Sequence, residues 1–255
     1  MRIGGADPDT MGGLAKGLAV IEAFSAERPK LTIADAARIA GLERATARRC
    51  LLTLLKAGYA EFDGKFYRLT PRVLRLGLSY MATTPLPAIL APVLTRLAAE
   101  TGESCSATIL DDTEIVYVAR ASQKRVMSIG LGVGSRLPAY CTSMGRVLLA
   151  ALEPAAALEI IERSDRRKLT PHTRVDPAVI MTELSIARSE GCCLVEEELE
   201  IGLRSLAVPV FAASGRVAAA MNVGAQSQQV SADAMRTRML PLLRAAQDDL
   251  ARMLI

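Results

Sequence analysis

From Leu14 to Leu69 the apolar positions recur first at intervals of three and four and then at alternate residues, so helices give way to a hairpin. Leu14, Leu18, Ile21 and Phe24 place one apolar face on a helix over 14–24, which the loop SAERPK ends at Pro29. Thr32 stands where it caps a second helix, and Ile33, Ala36, Ala37 and Ala40 give that helix a face small enough for close approach. Gly41 turns the chain. A third helix over 44–56 turns Cys50, Leu51, Leu54 and Leu55 inward, with Arg44, Thr46, Arg48 and Arg49 near its start or on its open side. Two helices joined in this way predict a helix-turn-helix, with the first helix completing a three-helix core. Strands expected over 58–62 and 65–69, turning at Asp63-Gly64, add a wing.

Thr70 and Pro71 open a further helix whose stripe of Val73, Leu74, Leu78 and Met81 serves either a dimer contact or the core. The run Thr83-Thr84-Pro85-Leu86-Pro87 breaks it. The expected organisation is a loose tail over 1–12, a winged helix-turn-helix over 13–70, a linker helix over 71–84 and a second domain over 85–255. In that domain a helix to Thr101 precedes strands over Ser104 to Leu110, Glu114 to Ala121 and Val126 to Leu131, then a loop through Gly132, Gly134 and Pro138. Helices are expected over 142–152, 154–163 and 177–190, and strands over 192–195, 203–211 and 216–223. Ser231 caps a last helix that turns Met235, Met239, Leu242, Leu243 and Leu250 inward and bends at Pro241. Strands framed by helices predict an α+β fold with a central antiparallel sheet.

Charge sharpens this picture. The net charge is +4, but residues 26–76 hold eleven Lys and Arg against five Asp and Glu, whereas residues 77–255 hold eighteen against nineteen. The surplus lies where phosphate contacts would need it. Arginines on the early turns of a groove-entering helix read guanine edges, and wing cations reach phosphates. The expected contacts to double-stranded operator DNA are Thr32, Arg44, Ala45, Thr46, Arg48, Arg49, Lys65, Tyr67 and Arg68. With 51% hydrophobic and 23% charged residues, no basic start before an apolar run and no membrane-length apolar stretch, the chain is expected to be a cytoplasmic protein with no membrane contact.

Five cysteines, an odd number without a C-x-x-C pair, and the single histidine His172 argue against a zinc site, so neither metal nor cofactor is expected. An enzyme remains the alternative, a small-molecule hydrolase or sensor using Cys141 as nucleophile or the Glu196 to Glu200 cluster as acid and base. Both lack a partner base in sequence. A protein-interaction module is a third possibility. A different chemistry is implied by Cys141, Thr142, Ser143 and the amides of residues 142–145 at a helix start, where a carboxylate is favoured. Arg136 and Arg204 would add a bidentate clamp.

The order of helix-turn-helix, wing and linker, followed by GSRLPAYCTSMGRVLLA from Gly134, EGCCLVEEELEIGLRSLAVPV from Glu190 and GRVAAAMNVGA from Gly215, resembles an IclR-type transcriptional regulator over nearly the whole chain. The phrases RLPAYCTSMGRVLLA and EIGLRSLAVPV are most similar to the PcaR/PcaU/PobR branch, whose members govern aromatic-acid catabolism through the β-ketoadipate route. The resemblance implies a winged helix-turn-helix joined to a GAF-like effector domain, a homodimer or dimer of dimers on a palindromic operator, and a small aromatic or dicarboxylic acid effector such as protocatechuate or 4-hydroxybenzoate. It also implies a pocket formed by Ala139, Cys141, Thr142, Ser143 and Met144, and by Ser205, Asn222 and Gly224 on later strands. Glyoxylate-responsive relatives carry an acidic residue where this chain has Val195 and a cysteine where it has Ser205, which implies a different effector.

Overall fold

Entry into the second helix is fixed by a reciprocal cap. The Thr32 hydroxyl accepts from the Asp35 amide at 3.2 Å, and the Asp35 carboxylate accepts from the Thr32 amide at 3.1 Å. The computed structural model describes residues 9–25, 27–122 and 130–254, which separate into a unit ending at Thr83 and a unit beginning at Thr84.

The first unit contains α1 (Gly12–Glu22), α2 (Ile33–Ile39), α3 (Arg44–Lys56), β1 (Ala60–Phe62) and β2 (Tyr67–Leu69). Gly41, at φ +64°, supplies the left-handed turn between α2 and α3. The antiparallel hairpin pairs Ala60 with Leu69 and Phe62 with Tyr67. Val20, Ala23, Leu31, Ala36, Ala37, Ala47, Leu51 and Tyr67 form the core. The expected face of α1 is corrected by this packing: Leu14 and Leu18 are 62% and 46% exposed, while the smaller Val20 and Ala23 are buried. Small side chains on α1, α2 and α3 let the three helices meet closely, and the leucines are left outside. A 3-10 turn (Pro71–Val73) leads into α4 (Leu74–Thr83), on which Leu74 and Leu78 are exposed. These two positions of the stripe are therefore not part of the first unit's core.

The second unit begins with α5 (Leu86–Thr101), ended by Gly102 at φ +70°. It is built on β3 (Ser104–Asp111), β4 (Glu114–Ala121), β5 (Arg136–Pro138), β6 (Cys193–Glu196), β7 (Leu203–Phe211) and β8 (Val217–Gln226). These form one antiparallel sheet in the order β5-β4-β3-β8-β7-β6. The strand expected over Val126 to Leu131 falls mostly outside the described residues. The loop expected through Pro138 instead contains β5, an edge strand pairing Ile115 with Leu137.

One sheet face, with Cys105, Ala107, Leu206, Val208, Met221 and Val223, packs on α5 and on α10 (Leu240–Met253). The other carries α6 (Ser143–Ala150), α7 (Pro154–Arg163) and α8 (Pro177–Glu190), packed around Leu149, Ile161, Ile180 and Leu184. Between the short α9 (Ala232–Ala234) and α10, residues Met235–Met239 form a π turn that ends two residues before Pro241. The missing proline N–H makes that the place for a helix irregularity.

α6 seats on the chain before it through Gly145. A Cβ there would lie 2.2 Å from the Ala139 carbonyl oxygen and 2.5 Å from its Cα, atoms of backbone that cannot swing aside. Gly145→Ala is expected to destabilise the second unit by about 3 kcal/mol. Urea denaturation followed by circular dichroism measures this, and a midpoint equal to that of the parent chain would show that the contact is not tight.

Candidate functional site

Helix α3 presents Arg44, Ala45, Arg48 and Arg49 to solvent. This face exists because Ala47 and Leu51, spaced by one turn, are buried against α1 and α2. Arg44 and Arg48 have no ion-pair partner among the described residues, and Arg49 Nη2 reaches only its neighbour Thr46 Oγ1, at 3.5 Å. In the wing, Asp63 Oδ1 accepts from the amides of Phe66 at 2.8 Å and Lys65 at 3.0 Å, which holds its carboxyl below the usual range and fixes the hairpin tip. Lys65 and Arg68 remain exposed, Arg68 with Asp63 at 3.8 Å.

Two expected DNA contacts are placed otherwise. Tyr67 is buried in the three-helix core, its ring centroid 4.5 Å from that of Phe62 and its backbone paired with Leu31. The alternation of a two-stranded ribbon turns it inward while Arg68 faces out. The Thr32 hydroxyl is occupied by the α2 cap.

The second unit holds a pocket between the sheet and α6. Strand register assembles its floor: Ser106 stands opposite both Arg120 and Asn222, and Gly224 opposite both Ser104 and Ser205. Arg120 Nη1 donates to Ser106 Oγ at 2.9 Å. Asn222 Nδ2 donates to Ser205 Oγ at 2.7 Å, and Ser205 Oγ lies 2.7 Å from Ser143 Oγ on the first turn of α6. The walls include Tyr117, Leu131, Leu137, Val195 and Leu199. Thr142 caps α6 by accepting from the Gly145 amide at 3.2 Å. A helix N-terminus and a guanidinium therefore border a space with a polar floor and partly apolar walls, where Glu197 and Glu198 stand at the rim already bonded, an arrangement that favours a small organic anion beside Arg120.

Below the cavity lies a buried ion pair. Arg146, fully enclosed, donates from Nε to the Tyr140 carbonyl at 3.0 Å and from Nη2 to Glu198 at 2.7 Å. Glu198 also accepts from the Arg174 amide at 3.0 Å, and Thr173 Oγ1 donates to the Glu198 carbonyl at 2.6 Å. These bonds tie α6 to the loop that closes one side of the cavity. Glu197 accepts from Ser227 Oγ at 2.6 Å, which lowers its pKa, and lies 3.6 Å from His172 Nε2.

The comparisons with known proteins agree with both halves. The model for the bacterial transcriptional regulator IclR C-terminal domain matches residues 78–252, and that for the IclR helix-turn-helix domain matches residues 13–64. The chain belongs to the IclR family. It is 45% identical over 249 residues to the Pca regulon regulatory protein of Pseudomonas putida, covering 97% of this chain and 86% of that one. It is 39% identical to the p-hydroxybenzoate hydroxylase transcriptional activator of Acinetobacter baylyi, covering 95% and 91%. A transcriptional regulator from Rhodococcus sp. RHA1 superposes with a TM-score of 0.81 at 41% identity, covering 96% of this chain and 98% of that one. An IclR homologue from Microbacterium hydrocarbonoxydans, solved with 4-hydroxybenzoate, superposes with a TM-score of 0.80 at 25% identity, covering 95% and 98%.

In this IclR-family chain, seven of the residues expected around the cavity do line it: Cys141, Thr142, Ser143, Met144, Ser205, Asn222 and Gly224. The arginine clamp does not form. Arg136 lies on exposed edge strand β5, with Nε on Glu114 and Nη1 on Asp111, both at 2.7 Å. Arg204 is drawn to Glu196 at 2.7 Å and to the carbonyls of Ser227 and Val230. Ala139 is buried under Gly145 and outside the lining. Among the described residues the cation at the cavity is Arg120, which sequence reasoning missed together with Ser104 and Ser106. Their signal was two serines and an arginine interrupting strands otherwise rich in apolar residues.

Burial pushes the Cys141 thiol up to about 12, so it carries its proton at neutral pH. Among the described residues, no group of three His, Cys, Asp or Glu could hold a metal, and no helix is long and apolar enough to cross a membrane.

Arg146→Met leaves buried Glu198 with Arg174 alone and is expected to cost stability, up to about 3 kcal/mol, less than a wholly unpaired buried charge would. Adding Glu198→Gln recovers part of that loss. Denaturant midpoints of the single and double variants test this, and additive losses would contradict the pairing.

Proposed function

We propose that this IclR-family regulator controls genes of aromatic-compound catabolism, and that its hold on operator DNA is set by a small aromatic or dicarboxylic acid in the cavity of its second unit. The observation that carries this reading is the convergence of Arg120 and the α6 N-terminus on a pocket whose walls include Tyr117, Leu131, Leu137, Val195 and Leu199. The similarity to the Pca regulon protein and to the 4-hydroxybenzoate-bound homologue supports an aromatic acid.

The DNA-contacting set is Arg44, Ala45, Thr46, Arg48, Arg49, Lys65 and Arg68, with the α3 arginines in the major groove and the wing cations on phosphates. The chain acts in the cytoplasm as a homodimer or dimer of dimers. Exposed Leu74, Leu76, Leu78 and Tyr80 on α4 supply apolar surface for that assembly. It performs no catalysis: the protonated Cys141 is no nucleophile, and Glu196, Glu197 and Glu198 are engaged with Arg204, Ser227 and Arg146.

A fluorescence-anisotropy titration against the chain's own upstream DNA tests both halves. Operator affinity is expected to change when protocatechuate or 4-hydroxybenzoate is added, and unchanged binding with every candidate acid would remove the effector half. Arg48→Ala and Arg49→Ala are each expected to weaken DNA binding. For every phosphate that a variant no longer touches, the slope of log affinity against log salt becomes shallower by about one. Affinities equal to that of the parent chain would place these arginines off the DNA, whatever the slope. Arg120→Met is expected to weaken acid binding about tenfold or more, since it removes a charge-assisted hydrogen bond. Unaltered acid affinity in that variant would exclude Arg120 from the site.

A further inference from the structure

The polar groups around the cavity are not all of one kind. Arg120 and the first turn of α6 offer protons, as an anion requires. Asn222 differs. It sits at the centre of the sheet, opposite Ser106 on one side and Ala207 on the other, and is 9% exposed. Its Nδ2 donates to Ser205 Oγ at 2.7 Å, while its Oδ1 is buried without a hydrogen-bond partner. Leaving a buried carbonyl oxygen unpaired is unfavourable, and an apolar side chain of similar shape would avoid that cost. Its partner on β7, Ala207, is apolar, while Ser106 and Ser205 beside it are already bonded to Arg120, Asn222 and Ser143. The remaining acceptors at the rim are already engaged: Glu198 by Arg146 and Arg174, and Glu197 by Ser227. An acceptor held open where the carboxylates are already engaged calls for a ligand that brings a proton.

We propose that Asn222 Oδ1 accepts a hydrogen bond from a ring substituent of the effector, so that the cavity selects hydroxylated aromatic acids over unsubstituted benzoate and over fully ionised dicarboxylates. This rests on the reading of the cavity as an aromatic-acid site and adds the group that discriminates within the class. A benzoate without a donor leaves Oδ1 unpaired, and a dicarboxylate at neutral pH has no proton to give. Ser205 holds the amide in place. With Nδ2 donating to Ser205 Oγ, the Ser205 proton is free for Ser143 Oγ 2.7 Å away, so the chain Asn222–Ser205–Ser143 also links the discriminating group to the α6 N-terminus.

The test is calorimetric titration of the full chain with benzoates matched at one ring position, in the 3- and 4-series. Hydroxy and amino substituents donate a hydrogen bond, whereas fluoro and methyl do not. The hydroxy and amino acids of at least one series are expected to bind the parent chain about fivefold or more tightly than their fluoro and methyl counterparts. Asn222→Ala brings that ratio to about one, while Asn222→Asp, which keeps an acceptor, retains the preference. Binding of the fluoro acid and an unchanged circular dichroism spectrum establish that the variants are folded. Equal affinities in the parent chain, or a ratio that survives Asn222→Ala, would overturn this inference and leave the aromatic-acid site standing. Failure of every benzoate to bind the parent chain would overturn both.

Discussion

The buried contact between Arg146 and Glu198 constrains the second unit, because an arginine with no solvent exposure is tolerated only where its charge is met: Nε and Nη2 are hydrogen-bonded, and Nη1, with no hydrogen-bond partner among the described residues, lies 4.0 Å from Glu183. Arg146 belongs to the same short helix whose first turn forms the cavity roof, and Glu198 belongs to the loop that closes its side. Placing the charge therefore places both walls. Gly145, one residue earlier, allows the helix to lie against the Ala139 backbone, so the tight approach and the ion pair specify one position of α6 on the sheet. The first turn of α6 lines the cavity, and the same helix reaches the loop through Arg146.

The first unit follows a different physical logic. Its core is made largely of alanine, valine and leucine on three closely packed helices, and its charge is carried outside it. Arg44 and Arg48 on α3 are exposed without ion-pair partners among the described residues, as a helix that exchanges water and counterions for phosphates requires. For an acid in one unit to alter DNA affinity in the other, it must bind two arrangements of the molecule with different affinity, and the factor must be the same in both directions.

Much of this was legible in the residues. Thr32 three positions before Asp35, Gly41 between two apolar periodicities and Asp63-Gly64 between alternating runs correspond to the cap, the turn and the hairpin tip. Spacing alone misassigned α1, because large leucines outweigh Val20 and Ala23 in any apolar pattern although a close-packed core of alanines accepts the smaller pair. Tyr67 was misread because a tyrosine beside cations looks like a DNA contact until the strand's alternation turns it inward. The cavity was half legible. Residues clustered along the chain at α6, and the later-strand positions carried by the family resemblance, could be named. Arg120 and Ser106 meet Asn222 only through the register of β4, β3 and β8, which a single sequence does not display. Arg136 and Arg204 looked equally available as cations, and the carboxylates that occupy them, Asp111, Glu114 and Glu196, could be matched to them only in three dimensions.

The account turns on whether the acid and the DNA are felt by one another through this single chain. Titrating 4-hydroxybenzoate calorimetrically into the protein alone, and into the protein saturated with its upstream DNA, measures that coupling directly. The account predicts two different acid affinities, whose ratio equals the factor by which the acid changes DNA affinity. Identical acid affinities with and without DNA would contradict it.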